Sequence, residues 1–500
     1  MTTDQNTSKL PRLGIFRNWL SLSGIVLVAG SLFAFILLSL IDALAHVSNP
    51  YVGILTYLVA PMFLFMGLAL ALLGVLWQRR KARKAGLLAP GLPSFQIDLS
   101  RQRDRKFLGW FLFASLLFLL TTAVLSYHTY HYSESVQFCG QACHTVMKPE
   151  LITYQHGSHA RVACVECHIG SGAEWFVKAK ISGTYQVYAV AFNKYPKPVP
   201  TPIKNLRPAQ ETCEQCHWPK KFVGNLDRTY NYYLGDETNT PYSIRLTMKV
   251  GGGDPTHGPV GGIHWHMNVG NKVQYYATDP ARQKIPWVRT VDAQGVVTEF
   301  RIPGFTNAIP ENEVRTVDCM DCHNRPAHKY MSPDRAVNLA MSLEGQIDRG
   351  LPWIKTNAVF ALTQSYTNET QAAQNIATIL AERYPVDKFP SKQTSVKRAI
   401  DVVQGIYRDN FFPEMKAQWD KYPDNIGHMI WPGCFRCHDE KHKTADGKRT
   451  IKASDCNTCH TILAQGKDEE LNLLSPGGQK FKHPGDEVDG ACNDCHTGGL

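Results

Sequence analysis

Cys164-Val165-Glu166-Cys167-His168 is the stretch that decides how this chain of 500 residues is built, because its pattern Cys-x-x-Cys-His recurs along the sequence. Five more copies follow it: Cys213/Cys216/His217, Cys319/Cys322/His323, Cys434/Cys437/His438, Cys456/Cys459/His460 and Cys492/Cys495/His496. A copy that is longer by one residue precedes it, with Cys139, Cys143 and His144. Together the seven motifs use all 14 cysteines.

The Cys-x-x-Cys-His pattern is the attachment signature of c-type haem. The two thiols form thioethers with the haem, and the adjacent histidine ligates the iron. Zinc ribbons also use paired cysteines but need no histidine after each second one, and disulfides need no fixed spacing. We therefore predict seven covalently bound c-type haems, the first of them attached through a stretched motif.

Three apolar runs, at residues 20–45, 54–77 and 107–127, predict membrane-spanning helices. Each has the roughly 20 residues that cross a bilayer, and Asp42 is the only charged residue in the three. A cleaved signal peptide is the alternative for the first run. That run is too long for the apolar part of such a peptide, and it has no clear small-residue cleavage site.

The distribution of charge predicts the orientation in the membrane. The loop at residues 78–106 carries nine Lys and Arg residues against Asp98 and Asp104. Positively charged loops stay in the cytoplasm, so the chain after residue 127 should lie outside, where bacteria attach haem to such motifs. The sequence thus predicts a multi-pass protein of the bacterial inner membrane with its haem domain in the periplasm.

The formal net charge of +10 gives no reason to expect nucleic-acid binding, because most of it lies before residue 107. Only +2 remains for residues 127–500, and the propionates of bound haem would make that part mildly acidic. The basic loop is explained by membrane topology and by contact with anionic lipid.

We predict a mainly α fold: three transmembrane helices, then a multihaem domain of short helices and loops with a haem-packed core and a small β-hairpin. The hairpin is expected around residues 287–302, and helices from Ser332-Pro333-Asp334 onward, at 369–384 and at 394–411. The predicted segments are a cytoplasmic N-terminus (1–18), a membrane anchor (19–127), a three-haem module (128–220), a glycine-rich insert with the fourth haem (221–330), a helical insert (331–427) and a C-terminal three-haem module (428–500).

Histidines outside the motifs are abundant enough to give the haems a second axial ligand. Of 19 histidines, 12 lie outside the motifs. The favoured candidates are His156, His159, His264, His266, His328, His428, His442 and His483. His257, in the glycine-rich insert, is a further candidate. His128 and His131, at the membrane exit, are weaker candidates, and His46 is expected at the membrane interface. Iron with two histidine ligands has no open position, so such haems carry electrons and bind no substrate.

The region around the first three motifs resembles the NapC/NirT family of quinol dehydrogenases. The similarity covers residues 107–220 and rests on a membrane helix, Phe138-Cys139 with Cys143-His144 and Met147, Gly157-Ser158-His159-Ala160, and the next two motifs. Most members have one helix and four haems. Three helices and seven motifs are more similar to the heptahaem inner-membrane quinol dehydrogenases of metal-reducing bacteria. The resemblance implies that electrons pass from menaquinol to periplasmic c-type cytochromes or reductases in anaerobic or metal respiration.

The resemblance also implies a quinol site beside the first haem, at the membrane surface. Family members use a methionine shortly after the motif histidine as a ligand. Met147 matches it in kind but not in spacing, so packing against the haem is the alternative. Lys178 and Lys180 stand where the family has a quinol-contacting lysine, and lipid phosphate is their alternative partner. Gln186 stands where the family has an aspartate; since glutamine cannot take a proton, Glu174 is a further candidate for proton release.

Two other functions remain open from the sequence. A terminal reductase of the nitrite or hydroxylamine type would need an open iron with cationic and proton-donating neighbours, which the His264-Trp265-His266 region could supply. A scaffold or electron store that docks other cytochromes would need no quinol site and would not be an enzyme. The sequence does not indicate the oligomeric state.

Overall fold

The computed structural model describes residues 18–45, 59–84, 99–142, 144–170, 173–203, 206–252, 261–267, 270–452, 456–485, 488 and 490–499. Within these ranges, the side chains of residues 39–45, 82, 83, 125, 126, 129, 144, 173, 174, 176 and 456 are not described. Cys143, His46 and His257 thus lie outside the described residues, and His144, Glu174 and Cys456 outside the described side chains.

The three predicted membrane spans are confirmed as α1 (Trp19–Ala45), α2 (Ala60–Lys84) and α3 (Gln102–Ser133). Their most apolar parts have mean hydropathies of 2.4, 2.1 and 2.1. The apolar part of α3 buries none of its residues against protein. An uncovered apolar helix of this length is suited to lipid and not to water, so the described helices anchor the chain in a membrane.

Small residues let α1 and α2 pack closely. A Cβ atom at Gly24 would collide with the backbone of Ala71, and one at Gly74 would collide with Ser21. Asn18 Nδ2 donates to the Gly74 carbonyl at 3.1 Å, and Ser21 Oγ donates to the Ala71 carbonyl at 3.3 Å. Close backbones and interhelical hydrogen bonds are what hold membrane helices together, because lipid supplies no hydrophobic driving force between them.

The haem-attachment motifs lie on short helical segments. A π-helical turn, Phe138–Ala142, carries Cys139 of the first motif, and α4 (His144–Gln155) begins at the histidine of that motif. The next motifs stand on α5 (Cys164–His168), α7 (Ala209–Cys213), α8 (Cys319–Cys322) and α13 (Cys492–Cys495), and on the 3₁₀ turns Gly433–Arg436 and Cys456–Thr458. Between them, α6 (Ala173–Ala191) is the longest helix of this region.

Two antiparallel sheets frame the later motifs. One has the order β1 (Leu226–Tyr233), β2 (Pro241–Met248), β7 (His460–Gly466), and it places the sixth motif's histidine opposite Met248. The other has the order β5 (Val297–Arg301), β4 (Trp287–Val291), β3 (Lys272–Tyr276), β6 (Arg315–Thr316).

The predicted hairpin is confirmed as β4–β5, with Trp287 opposite Arg301 and Gly295 at φ +80° in the turn. The sequence did not predict the other strands. Six of the eight residues of β1 are exposed, so that strand lacks the alternation of apolar and polar residues that identifies a half-buried strand.

The helical insert contains α9 (Pro333–Ser342), α10 (Ile354–Thr363), α11 (Glu369–Arg383) and α12 (Gln393–Asn410), which confirms the three helical stretches predicted there. Ser332 caps α9 by accepting from the Arg335 amide at 3.3 Å, with proline at the first helical position. The helices enclose a large core of buried side chains, which the sequence had not led us to expect. Its fully buried members include Val337, Leu351, Ile354, Ile376 and Val403.

The chain divides into two compact units. The first contains residues 1–135 and 169–184, and therefore the membrane helices and the start of α6. The second contains residues 136–168 and 185–500, and therefore all the motifs.

Candidate haem sites

Six motif histidines each face the ring of a histidine from outside the motifs. The distances between ring centres all lie between 6.0 and 6.3 Å, although most of the partners are far apart in the sequence. The pairs are His168 with His328 at 6.3 Å, His217 with His159 at 6.1 Å, His323 with His264 at 6.3 Å, His438 with His266 at 6.0 Å, His460 with His428 at 6.3 Å and His496 with His483 at 6.1 Å.

This spacing fits one iron held between two imidazoles. An imidazole nitrogen binds a metal at about 2.0–2.1 Å, and it lies about 1.1 Å from the centre of its ring. Two imidazoles on opposite sides of one iron therefore have ring centres about 6.3 Å apart. Together with two cysteines beside each motif histidine, the donor set is that of c-type haem with two histidine ligands. We number the sites by motif, so that the six pairs are the second to seventh sites.

Five of the candidate ligand histidines have a lowered pKa. Burial lowers the pKa of His168, His266, His323, His428 and His460, because desolvation disfavours the charged ring. These rings are therefore neutral at pH 7, and neutral imidazole is the ligand form of histidine.

One 3₁₀ turn, Ile263–Met267, carries a histidine of two of the pairs. His264 Nδ1 bonds to the Val250 carbonyl at 2.7 Å, and His266 Nδ1 bonds to the Ile263 carbonyl at 2.8 Å. Each bond fixes the ring and leaves Nε2 to face the motif histidine. The fourth and fifth sites are thus tied to the same turn.

The segment after the fourth motif supports the second and third sites. His328 Nδ1 lies 2.9 Å from the carbonyl of Glu150 and 3.2 Å from its carboxylate. The same carboxylate accepts from Tyr330 at 3.1 Å and lies 3.5 Å from Arg325. Two residues before His328, the Pro326 carbonyl lies 3.1 Å from His159 Nδ1. A single loop therefore orients ligands of two neighbouring sites.

Three other ligand histidines have no such bond. The Nδ1 atoms of His428, His460 and His483 are buried without a hydrogen-bond partner among the described residues. Phe435, which lies between the two cysteines of the fifth motif, stacks on His428 with ring centres 4.3 Å apart and planes 15° apart. A residue of the fifth motif therefore covers a ligand of the sixth site.

Cysteines of consecutive motifs lie next to each other. The thiol of Cys139 forms a hydrogen bond to that of Cys164 and lowers its pKa to about 7. A second bond of this kind joins Cys213 to Cys319. Cys167 interacts electrostatically with Cys216, and Cys322 with Cys434. The first five sites thus follow one another in space in the order of the sequence.

The segment before the last motif lies along β7, which begins at the sixth motif's histidine. The Gln479 amide donates to the Ile462 carbonyl at 2.9 Å, and the Lys482 amide donates to Gln465 Oε1 at 2.9 Å. His483, the partner of the seventh motif's histidine, follows directly. The seventh site is therefore a neighbour of the sixth.

The structure does not support His442 as a ligand. Its ring is completely buried, with Nδ1 at 2.8 Å from Asp439 Oδ1 and Nε2 at 2.8 Å from the Ile285 carbonyl. Both nitrogens are used, so none remains for iron. Burial alone would raise the pKa of Asp439, but hydrogen bonds from His442 and from backbone amides hold it below its usual value. His442 joins the fifth motif to the four-stranded sheet.

His156 also lies away from the six pairs. Its Nδ1 is 2.9 Å from the Ile152 carbonyl, and its Nε2 is 3.7 Å from Asp409. Met147, the proposed ligand of the first site, is half-buried on α4. The first site therefore lacks a described ligand pair.

The residues predicted to contact quinol lie on α6. Lys178 Nζ is 4.6 Å from the centre of the Trp175 ring, and Lys180 Nζ is 3.5 Å from Ser133 Oγ at the end of α3. Gln186 is exposed on the same helix. An exposed apolar stripe at helical spacing also follows α6 and continues just past it, through Val177, Ile181, Tyr185, Tyr188 and Phe192.

Sequence reasoning found the histidines but could not pair them, and it missed Glu150, Phe435 and Lys249. Lys249 donates from its amide to the Cys459 carbonyl at 2.9 Å and from Nζ to the Asn457 carbonyl. For Phe435, the only feature of the sequence that could have indicated a role was its position between the two cysteines of a motif.

The known proteins that this chain is similar to are c-type cytochromes. Residues 101–199 match the model of the NapC/NirT cytochrome c family, N-terminal region. The chain is 41% identical to the cytochrome c-type protein ImcH of Geobacter sulfurreducens, over 97% of this chain and 96% of that protein. It is 33% identical to the cytochrome c-type protein NrfH of Wolinella succinogenes, over 18% of this chain and 53% of that protein. No solved structure matches the chain.

Proposed function

The chain belongs to the family of the cytochrome c-type protein ImcH, and we propose that it takes electrons from menaquinol and passes them through seven covalent haems to periplasmic c-type cytochromes or reductases. Its membership makes it a membrane-anchored multihaem cytochrome that transfers electrons. Menaquinol, the number of haems, the inner-membrane location and the periplasmic side are parts of the proposal.

The six histidine pairs carry this proposal. At each site the motif cysteines would hold the haem, and the two histidines would fill both axial positions of its iron. When bound, such a haem exchanges one electron at a time and leaves no iron position for a substrate. The described ligand pairs are therefore suited to conduction and not to chemistry on a bound molecule.

The neighbouring motifs supply the path. The thiol contacts connect the first five sites, Phe435 connects the fifth to the sixth, and hydrogen bonds between β7 and the segment before the last motif connect the sixth to the seventh. Electrons that enter at the first site, which follows α3 closely in the sequence, would reach the C-terminal sites in steps between adjacent haems.

Quinol oxidation is proposed for the membrane end of this path. The exposed stripe on α6 is suited to the membrane interface, where amphipathic helices bury an apolar face and keep their lysines in the headgroup layer. Lys180 Nζ lies beside Ser133 at the end of α3, and Ser133 is six residues before Cys139. A lysine there could bond a quinol oxygen and stabilise negative charge as the proton leaves. Gln186 could bond a quinol oxygen but could not accept its proton.

The reductase alternative is less well supported. The two histidines that a substrate site could have used, His264 and His266, face His323 and His438 as ligand partners. Among the described pairs, no motif histidine lacks a partner, so an open iron would have to be at the first site.

The experiment is reduction of the purified full-length protein in lipid vesicles by a menaquinol analogue. We expect the haem α-band to rise on addition of the quinol, and to rise further with dithionite. An electron-transfer scaffold without a quinol site would be reduced by dithionite and not by the quinol, and that result would refute the proposal.

A further inference from the structure

The six ligand pairs differ in the surroundings of their second ring nitrogen. At the fifth site both rings are bonded: His438 Nδ1 lies 3.0 Å from the Lys452 carbonyl, and His266 is bonded as described. At the second, third and fourth sites, one ring of each pair is bonded to a carbonyl, at 2.9, 3.1 and 2.7 Å. At the sixth site, the Nδ1 atoms of His428 and His460 are both buried without a partner among the described residues.

These bonds affect how strongly a histidine donates to iron. A ligand whose N–H bonds to a carbonyl or carboxylate is more basic. A more basic ligand stabilises the oxidised iron, which carries one more positive charge than the reduced iron, and so lowers the reduction potential. By this criterion the fifth site has the strongest donors, and the sixth has weaker donors than the second to fourth sites. The seventh site shares one buried Nδ1 without a described partner, that of His483, but its other ring, His496, is exposed to water, which can accept from its N–H.

Fixed charges act in the same direction. Lys249 is tied to the sixth motif by its two bonds to the Cys459 and Asn457 carbonyls, so it holds a positive charge beside that site. At the second site the charge beside the ligand is negative, since the Glu150 carboxylate lies 3.2 Å from His328 Nδ1. Arg325 offsets part of that charge from 3.5 Å. A nearby positive charge favours uptake of an electron, and a nearby negative charge opposes it.

The covering of His428 keeps water from supplying the missing bond. Phe435 stacks on the ring at 4.3 Å, and the Nδ1 atom is buried. The same contact makes the sixth site the next one after the fifth along the chain of motifs.

We propose that the sixth site, His428 and His460, has the highest reduction potential of the six described pairs and is where electrons collect before they leave the protein. Glu150 is a positioning residue that keeps the potential of the second site low. This inference rests on the haem ligation in the proposed function.

The test is a redox titration of the purified full-length protein, followed by the low-spin ferric EPR signals, with two variants that mark the two sites. Lys249→Gln removes the positive charge and should move one component to lower potential. Glu150→Gln removes the negative charge but keeps an acceptor oxygen, and it should move a different component to higher potential. In the unmodified protein, the component marked by Lys249→Gln should be reduced before the one marked by Glu150→Gln.

A second label for the sixth site comes from its ligand planes, which are 21° apart, against 78° at the fifth site. Nearly parallel rings split the iron d orbitals and give a rhombic signal, whereas nearly perpendicular rings give a signal with one large g value. The component moved by Lys249→Gln should be rhombic. The planes at the fourth site are 5° apart, so that site should be rhombic as well. The label therefore restricts the sixth site to a rhombic component, and at least one rhombic component should have a high potential even if the Lys249 variant does not fold. Lys388→Gln, an exposed charge change on the helical insert, should move no component.

The inference would be overturned if the component marked by Glu150→Gln were reduced before the one marked by Lys249→Gln. It would also be overturned if both variants shifted the same component, or if neither variant shifted any component. The inference would also be overturned if every rhombic component had a low reduction potential. In those cases the haem ligation would stand. Loss of the proposed function would look different, since low-spin signals from six haems would then be missing in the unmodified protein.

Discussion

Arg436 Nη2, between the cysteines of the fifth motif, donates to the carbonyl of Asp321, between the cysteines of the fourth motif, at 2.7 Å. The other guanidinium nitrogens bond to the Arg282 carbonyl at 2.9 Å and to the Gly433 carbonyl at 2.8 Å. The Asp321 carboxylate in turn accepts from Tyr275 and from Arg282. One side chain therefore fixes the two attachment loops relative to each other.

Replacing Arg436 by Gln should loosen this link. It removes charged donors from three carbonyls, and each lost bond of this kind costs about 1–3 kcal/mol. We expect a lower thermal unfolding temperature and no change in haem content. Arg398→Gln is the control, because Arg398 is exposed and donates to a single carbonyl, that of Gly345 at 2.8 Å. Equal stability losses in the two variants would contradict the structural role of Arg436.

The haem content should be seven per chain by the pyridine haemochrome assay, because all seven motifs carry two cysteines and a histidine. Replacing both Cys139 and Cys143 by Ala should lower the count to six. A count of six in the unmodified protein, unchanged by that double variant, would mean that the stretched motif binds no haem. A count of five or fewer would contradict the motif assignment itself.

Replacing Lys178 or Lys180 by Ala should slow menaquinol-driven haem reduction at least about tenfold, equivalent to about 1.4 kcal/mol in the barrier, if either lysine contacts the quinol. Reduction by dithionite should not change, since it bypasses the quinol. Lys194→Ala is the matched control, because Lys194 follows the same helix and lies 5.2 Å from the Tyr188 ring. If the two single variants and the double variant all reduce at the normal rate, both lysines serve only as lipid contacts.

A substitution in the core of the helical insert should lower the stability of the protein without loss of haem. Ile376 is fully buried in its core, and removing such a side chain to Ala costs about 2–5 kcal/mol. We expect Ile376→Ala to lower the unfolding temperature while the haem content stays the same. Leu339→Ala, on an exposed face of α9, should change neither. Loss of haem in the Ile376 variant would show that the insert folds around the haems instead.

The motifs, the membrane spans and the main helices could be predicted because each has a local pattern. Five consecutive residues identify most of the haem-attachment motifs, and a single apolar run identifies each membrane span. The start of α9 is identified by the capping sequence Ser332-Pro333. The resemblance to the NapC/NirT family was also visible in residues 107–220, and the family model matches residues 101–199.

The pairing of ligands could not be predicted, because it depends on contacts between distant parts of the chain. His264 and His266 are two residues apart, yet they face His323 and His438 at different motifs. His442 follows the fifth motif closely and looked like a ligand for that reason, but its two nitrogens are taken by Asp439 and Ile285. Tertiary packing decides whether a histidine ring nitrogen is available to bind iron, and a local sequence pattern does not predict it.

The central claim is that histidine pairs fill both axial positions of the iron at six sites, and EPR of the oxidised full-length protein with His428→Ala tests it most directly. The unmodified protein should show low-spin ferric signals from at least six haems. His428→Ala should leave His460 as the only histidine at its site and convert one haem per chain to a high-spin signal, whereas His442→Gln should not. High-spin signals from two or more haems in the unmodified protein, or no change on replacing His428, would contradict the account.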